Sequence, residues 1–342
     1  MPNDVVSRAI DAVCAGEHLT ADHASAVLAE IMEGRADPVQ TGGFLIALRA
    51  KGETVPELVG LARTMRSLAT PVATSRADLV DTAGTGGGPT TFNVSTTAAL
   101  VAAGAGCAVA KHGNRSATSL CGSADLLEAL GVNIELDAEQ VGRCIDEVGF
   151  GFMFAPRHHA ATAHVIPARK ALGVRTIFNF LGPLTNPAGA NRQLLGVGDR
   201  HYQETIAEAL LGLGSVRALV VSAEDGVDEL SIGARTRVIE VADGRTAEWF
   251  VEPSQFGFAN AELAAVAGGT PEDNAAVTVA VLEGEQGPRR ELVLLNAAAA
   301  IYVGGLAADL EEGLQKATQA VDSGSARAVL TRLVETTVAL AG

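Results

Sequence analysis

Gly84-Thr85-Gly86-Gly87-Gly88 lies between a short apolar run and a segment of helical pattern. Glycines at such a turn let backbone N–H groups approach an anion closely, and a following helix start adds a favourable dipole. Glycine turns also occur for structural reasons alone, so this one leaves both readings open. No Gly-Lys-Ser/Thr closes it as a Walker loop, and it lacks the GxGxxG spacing of a dinucleotide turn. Asn93-Val94-Ser95-Thr96 follows, with an amide and hydroxyls at the start of the next helix. These can cap the helix, hold phosphate oxygens or place a hydroxyl on a metal. Lys111-His112-Gly113-Asn114-Arg115-Ser116 reads as a basic, polar loop ending the next strand. Ligands of open α/β sheets lie beyond the carboxyl ends of strands, so both loops reach one edge. A solvated loop is the plain alternative, but an all-polar run between two Ala-rich elements is better explained by a ligand.

Asp228-Glu229 follows another apolar run, Ala218 to Val221. Adjacent acids are usually only solvated. Beyond a strand's carboxyl end, paired carboxylates with substrate phosphates are the usual way to hold Mg²⁺. Arg157, His158, His159, His164, Arg169, Lys170 and Arg175 form a second basic segment. His159 and His164 are five apart, poor spacing for one helix face, and no Cys or acid completes a tetrahedral zinc set. An anion-facing Arg169 fits better, because a guanidinium matches carboxylates bidentately.

The elements that must position these residues fall into two regions. Up to about Ala69 the pattern is helical only: a helix capped by Thr20 toward Glu33, one opened by Pro38 through Ala50, and Val55 to Leu68. Strand–helix alternation follows. Strands are expected at Leu79–Thr82, Cys107–Ala110, Phe150–Phe154 and Ala218–Val221. Helices are expected from Ser95 to Ala103, from a Ser123 cap to Gly131, and from an Asp137/Gln140 capping box to Gly149. Asp243-Gly244 between Arg237–Val241 and Glu248–Val251 signals a hairpin, and the chain beyond Thr270-Pro271 reads as helices. Repeated βα units predict an α/β fold: a small all-helical N-terminal domain, 1–72, and a large domain, 73–342, with a mainly parallel sheet flanked by helices.

With 48% apolar residues and only 4% aromatic ones, the core must be built of Ala, Val and Leu. A formal net charge of -15 argues against a nucleic-acid partner and against an anionic membrane surface. Cys14, Cys107, Cys121 and Cys144 form no CxxC pair and read as buried, reduced thiols. The start carries no basic, then apolar, signal segment, and the reading is cytoplasmic.

Along nearly its whole length the sequence resembles the anthranilate phosphoribosyltransferases of tryptophan biosynthesis. The resemblance is carried by Gln40 to Leu48, the GTGG turn, Asn93-Val94-Ser95-Thr96, Lys111 to Arg115 and Gly122-Ser123-Ala124-Asp125. It continues through Phe154-Ala155-Pro156, Arg175-Thr176-Ile177-Phe178-Asn179, Leu181 to Pro187, and Asp228-Glu229. It implies that the amine of anthranilate attacks C1 of 5-phosphoribosyl-1-pyrophosphate (PRPP), with Mg²⁺, and that pyrophosphate leaves. By motif, Gly84, Gly87, Gly88, Thr91, Asn93, Val94, Ser95, Thr96, Lys111, His112, Gly113, Asn114, Arg115, Ser116, Ala117, Thr118, Ser119 and Ser123 would surround PRPP. Gly84, Asn114 and Arg169 would contact anthranilate, and Ser95, Asp228 and Glu229 would hold one or two Mg²⁺. The resemblance further implies a homodimer through the N-terminal helices and a hinge at about 165–187 returning to the small domain. An aromatic amine needs no strong base before attack, so no general base is assigned; His112 and His159 are the candidates for the late proton.

Two positions depart from the family pattern. Gly88 stands where an acid usually follows GTGG, in a loop about one residue shorter, and Thr162 replaces an aromatic found in some relatives. The rival within the superfamily is a pyrimidine nucleoside phosphorylase, which the Lys-His-Gly-Asn-Arg run disfavours. A non-catalytic nucleic-acid binder is disfavoured by the charge and by the retained acidic pair.

Overall fold

The computed structural model describes residues 1–116 and 119–341. Four helices open the chain: α1 (Asp4–Cys14), α2 (Ala21–Met32), α3 (Pro38–Lys51) and α4 (Val55–Leu68). Their starts follow from local chemistry. Asn3 accepts from the N–H groups of Val5 and Val6, Thr20 from His23, and Asp37 with Gln40 and Thr54 with Glu57 form capping boxes. The helix α1 has no counterpart in the sequence reading, although Asn3-Asp4 is a regular helix start.

The remainder runs β1 (Leu79–Asp81), α5 (Val94–Gly104), β2 (Ala108–Gly113), α6 (Ser123–Ala129), α7 (Ala138–Val148) and β3 (Phe150–Phe154). Then come α8 (Ala155–His158), α9 (Ile166–Leu172), α10 (Phe178–Leu181), β4 (Arg192–Gly196), α11 (Gln203–Gly212) and β5 (Arg217–Ala223). A hairpin of β6 (Thr236–Ala242) and β7 (Arg245–Val251) precedes α12 (Pro271–Leu282), α13 (Pro288–Val303), α14 (Leu310–Asp322) and α15 (Ser325–Ala341). The sheet order is β3-β2-β1-β4-β5-β6-β7. The five strands from β3 to β5 are parallel, and β6 and β7 add on antiparallel. The hairpin turns at Asp243 (φ 52°) and Gly244 (φ 71°), the positive pair that a tight two-residue turn requires. The mixed sheet flanked by helices and the preceding helical bundle agree with the expected α/β fold.

From β1 the chain moves outward to β2 and β3, then returns to β4 on the other side of β1. The strand order therefore reverses at β1, and a crevice opens at its carboxyl end. One sheet face carries α5, α13, α14 and α15, packed through Ala-rich surfaces such as Ala98 to Ala103. Gly104 meets Ala326 backbone to backbone, where an added methyl would lie 2.7 Å from Ala326 Cα. The opposite face shares a core with the bundle: Leu195, Val220 and Ile239 of the sheet join Leu28, Phe44 and Leu61 of α2–α4. Val165, Ile177, Phe178 and Leu181 belong to that same core, so the segment after α8 packs on the bundle.

Four expectations are corrected. Lys111, His112 and Gly113 are not loop residues but the end of β2, and the Lys111 and His112 side chains are buried, at 1% and 5% exposure. Gly122, not Ser123, is the N-cap of α6, where Asp125 accepts from Gly122 N. Cys14 is exposed, whereas Cys107, Cys121 and Cys144 are buried; all four are free thiols. The central strand β4 escaped the sequence reading because it starts with Arg192-Gln193. Both side chains find backbone acceptors outside the strand, Arg192 at Val303 O (2.8 Å) and Gln193, through its Nε2, at Pro183 O (2.7 Å).

Candidate functional site

Three strand ends deliver the site. After β1, Thr82 to Gly88 forms the glycine loop; β2 ends at Lys111-His112-Gly113; and the turn after β5 carries Asp225 to Glu229. Thr85 N donates to Gly196 O at 2.8 Å, tying the loop to the end of β4. The loop lies tightly on its neighbours. A methyl on Gly84 would be 3.0 Å from Gly196 O and 3.3 Å from an Asp228 carboxylate oxygen, and one on Gly88 would overlap Gly226 O. Gly88 thus sits where the 225–228 turn leaves room for no side chain.

Asp228 and Glu229 line a small cavity of about 30 Å³ with Thr82, Gly84, Ser95 and Asn296. That is room for a single ion or water. Burial, chiefly, raises both carboxyls above the usual range; Glu229 is raised further by Asp228 beside it. Glu229 Oε2 is shielded from solvent and has no hydrogen-bond partner among the described residues. Two crowded carboxylates, one with an orphaned oxygen, and the Ser95 hydroxyl form an all-oxygen donor set suited to Mg²⁺, whose other ligands would be waters and substrate phosphates. Asn296 shapes this cavity but was not foreseen from the sequence. It stands on α13, far along the chain, and grips the same turn through Leu230 N (3.0 Å) and Leu230 O (2.9 Å).

Lys111 points from β2 toward the same cavity. Its ammonium donates to Thr82 Oγ1 at 2.9 Å and approaches Ser95 Oγ at 3.5 Å. Burial pushes its pKa down to about 8, opposed by Asp81 and Glu229. Asp81 is fully buried and raised by that burial, and accepts from Asn186 (2.8 Å), His112 N (3.2 Å) and Ala83 N (3.1 Å). These bonds lock the carboxyl ends of β1 and β2 together. Asn93 begins α5 tied to Asn274 (2.8 Å) and to Cys121, and Thr96 Oγ1 is buried without a partner among the described residues. Thr91 bridges to Ala267, which pins the far end of the glycine loop. Val94 is fully buried in the core beneath.

The 114–123 segment is more open. Asn114 accepts from Arg115 N and, through its backbone oxygen, from Ser123 Oγ at 3.2 Å. Arg115 faces outward, bonded to Asp125 (2.8 Å) and Glu128 (3.0 Å) with its guanidinium 5.6 Å from the Phe154 ring. Ser116 and Ser119 share a hydroxyl contact at 2.6 Å. Ala117 and Thr118 lie outside the described residues.

On the bundle side, Arg169 lies over the Phe178 ring at 5.3 Å, and burial lowers its pKa. No carboxylate pairs with it among the described residues, which leaves its fork free for an acidic ligand. The His112 and His159 rings are neighbours, tilted at 45° with centroids 5.0 Å apart, and burial pushes them down to about 3 and about 4. His112 Nδ1 pairs with Gly182 O at 3.1 Å, while its Nε2 and both His159 nitrogens are buried without partners among the described residues. Both rings are neutral near pH 7 and are weak bases there. Thr162 does not reach them; its hydroxyl donates to His159 O at 2.7 Å.

Residues 76–327 match the glycosyl transferase family α/β domain and residues 7–69 that family's helical bundle domain. The chain is 54% identical over 326 residues to the anthranilate phosphoribosyltransferase of Symbiobacterium thermophilum, covering 95% of this chain and 96% of that protein. It is similar in structure to the anthranilate phosphoribosyltransferase of Thermus thermophilus, with TM-score 0.91, 46% identity, and coverage of 96% and 99%. It is also similar to the Saccharomyces cerevisiae enzyme solved in complex with PRPP and Mg, with TM-score 0.89, 28% identity, and 98% of each chain covered.

Proposed function

Because the chain belongs to the anthranilate phosphoribosyltransferase family, we propose that its β1 crevice carries out that family's reaction with the residues described above. The activity is transfer of the 5-phosphoribosyl group of PRPP to the amine of anthranilate, releasing pyrophosphate, in tryptophan biosynthesis. One observation supports the placement of chemistry most strongly: Gly84 of the glycine loop and two crowded carboxylates line one small cavity at the sheet's switch point, and a buried lysine bonds Thr82 of its wall.

As C1–O breaks, positive charge grows on the ribose and negative charge on the departing diphosphate. Backbone N–H groups of the glycine loop other than Thr85, which is tied to Gly196 O, and of the α5 start offer fixed dipoles to those anionic oxygens. Asn93, Ser95 and Thr96 hold phosphate oxygens there, as do Lys111 and the segment from Asn114 to Ser123. Bound by Ser95, Asp228 and Glu229, one or two Mg²⁺ would neutralise charge on the leaving group. Arg169 takes the anthranilate carboxylate, with Gly84 and Asn114 completing the acceptor pocket, and so aims the amine at C1. The unprotonated amine needs no activation, and the neutral His112–His159 pair stands beside the acceptor side for the late proton.

Around this centre, residues 1–72 and 73–342 act as two domains, and 165–187 is the hinge between them. The enzyme works in the cytoplasm as a homodimer through the bundle, whose α3 exposes Val39 and Ile46. Among the described residues no helix is long and apolar enough to cross a membrane. The test of the site is the double variant Asp228→Ala with Glu229→Ala. It folds and loses Mg²⁺-dependent turnover; full activity would remove the metal assignment.

A further inference from the structure

Arg175 belongs to no role assigned above, yet its guanidinium lies directly against the glycine loop. It donates to Gly86 O at 3.3 and 3.4 Å, both long for such bonds. A methyl added to Gly87, whose φ is +97°, would overlap Arg175 Nη1. The guanidinium also stands 5.9 Å from the Phe180 ring, and its positive charge acts on Asp228. Five N–H donors therefore face one distant carbonyl, and no carboxylate pairs with them among the described residues. Arg115 is the contrast, saturated by Asp125 and Glu128.

Two more facts give the position meaning. Asp228 lies between Gly84 and Gly88, so Arg175, the loop amides and the metal carboxylate share one edge of the crevice. The Arg175 carbonyl accepts from Arg49 Nη1 of α3 at 2.9 Å, so the residue is also anchored to the bundle.

We propose that Arg175 is a binding residue for the diphosphate of the donor, exchanging its weak bond to Gly86 O for two charge-assisted bonds to diphosphate oxygens. This rests on the reading of the crevice as a phosphoribosyl-pyrophosphate site. A guanidinium binds such oxygens bidentately, which the single carbonyl cannot reproduce. The Arg49 contact then links occupancy of the glycine loop to the bundle.

The experiment is titration calorimetry of the full chain with pyrophosphate plus Mg²⁺, and separately with ribose 5-phosphate, on wild type, Arg175→Gln and Arg175→Ala. Pyrophosphate affinity falls by about tenfold to a hundredfold in both variants, the range for charge-assisted hydrogen bonds. Ribose 5-phosphate affinity stays within about twofold. The KM for PRPP rises by the same factor and that for anthranilate does not. Unchanged pyrophosphate affinity, or equal loss for both ligands, overturns the proposal. Arg175→Lys, which keeps the charge and most of the stem, decides the same comparison if the shorter variants do not fold. Wild type that binds pyrophosphate but never glycosylates anthranilate refutes the acceptor reading while leaving the Arg175 comparison decisive. Wild type that binds no pyrophosphate with Mg²⁺ refutes the role of Arg175.

Discussion

Replacing Glu229 by Gln probes the one side chain whose discomfort is visible in the resting site. Its Oε2 is shielded from water and unpartnered among the described residues, and burial and Asp228 raise its carboxyl well above the ordinary range. The folded protein then holds a proton on Glu229 that the unfolded chain has released. Stability therefore falls as pH rises from the ordinary carboxylate range through the raised folded value. At neutral pH without metal Glu229 must hold a buried charge or take up a proton, a cost of about 1–3 kcal/mol that a neutral amide of the same shape avoids. Unfolding entropy for a chain of 342 residues is on the order of 0.7 kcal/mol/K, so Glu229→Gln should raise Tm by roughly 1.5–4 °C in chelator. Mg²⁺ should stabilise wild type by mass action and stabilise the variant far less. Scanning calorimetry of both proteins, with chelator and then with Mg²⁺, gives the four melting points. A variant that melts below wild type in chelator, or that keeps the full Mg²⁺ shift, refutes the reasoning.

Three further perturbations test the frame. Gly88→Ala forces backbone apart at Gly226 O, and the displaced loop should raise KM for PRPP by about tenfold to a hundredfold with little change for anthranilate. Lys111, with its pKa near 8, should lose its charge above that pH, so KM for PRPP climbs there in wild type and stays flat in Lys111→Met. Over the same range stability should rise, because the folded state releases this proton before the unfolded chain does. Glu57 is fully buried and accepts from Leu19 N (2.9 Å), Thr54 N (2.8 Å), Thr54 Oγ1 (2.8 Å) and Lys51 Nζ (2.9 Å). Glu57→Ala should cost about 3–5 kcal/mol in denaturant melts while kcat of the folded fraction holds. These bonds lower the Glu57 pKa, so its contribution in wild type is present above the ordinary carboxylate range and lost as pH falls through the depressed folded value.

The two-region architecture was legible because helical and strand periodicities change near Pro71, and the bundle helices start at their own caps, Asn3, Thr20, Asp37 and Thr54. The carboxyl-end placement of the glycine loop and of Asp228-Glu229 was legible for the same reason: apolar runs precede both. What escaped was set by tertiary partners. The strand β4 tolerates a polar start because the carbonyls of Val303 and Pro183 accept from Arg192 and Gln193. Lys111 and His112 look like loop residues until Thr82, Asp81 and Gly182 supply buried partners. Asn296 joins the cavity from α13 with no local signal, and Arg175 was legible only as one of a basic segment, not as a neighbour of Gly86. Gly88 was visible as a departure, but its reason, the carbonyl of Gly226 filling the side-chain space, was not.

The central claim is that this crevice joins PRPP to anthranilate. The most direct measurement is the appearance of N-(5-phosphoribosyl)anthranilate, with equimolar pyrophosphate, when the purified chain meets both substrates and Mg²⁺. Product formation that stops on chelation, with no phosphorolysis of thymidine or uridine, is the predicted result. Phosphorolysis of a pyrimidine nucleoside without any ribosylation of anthranilate would contradict it.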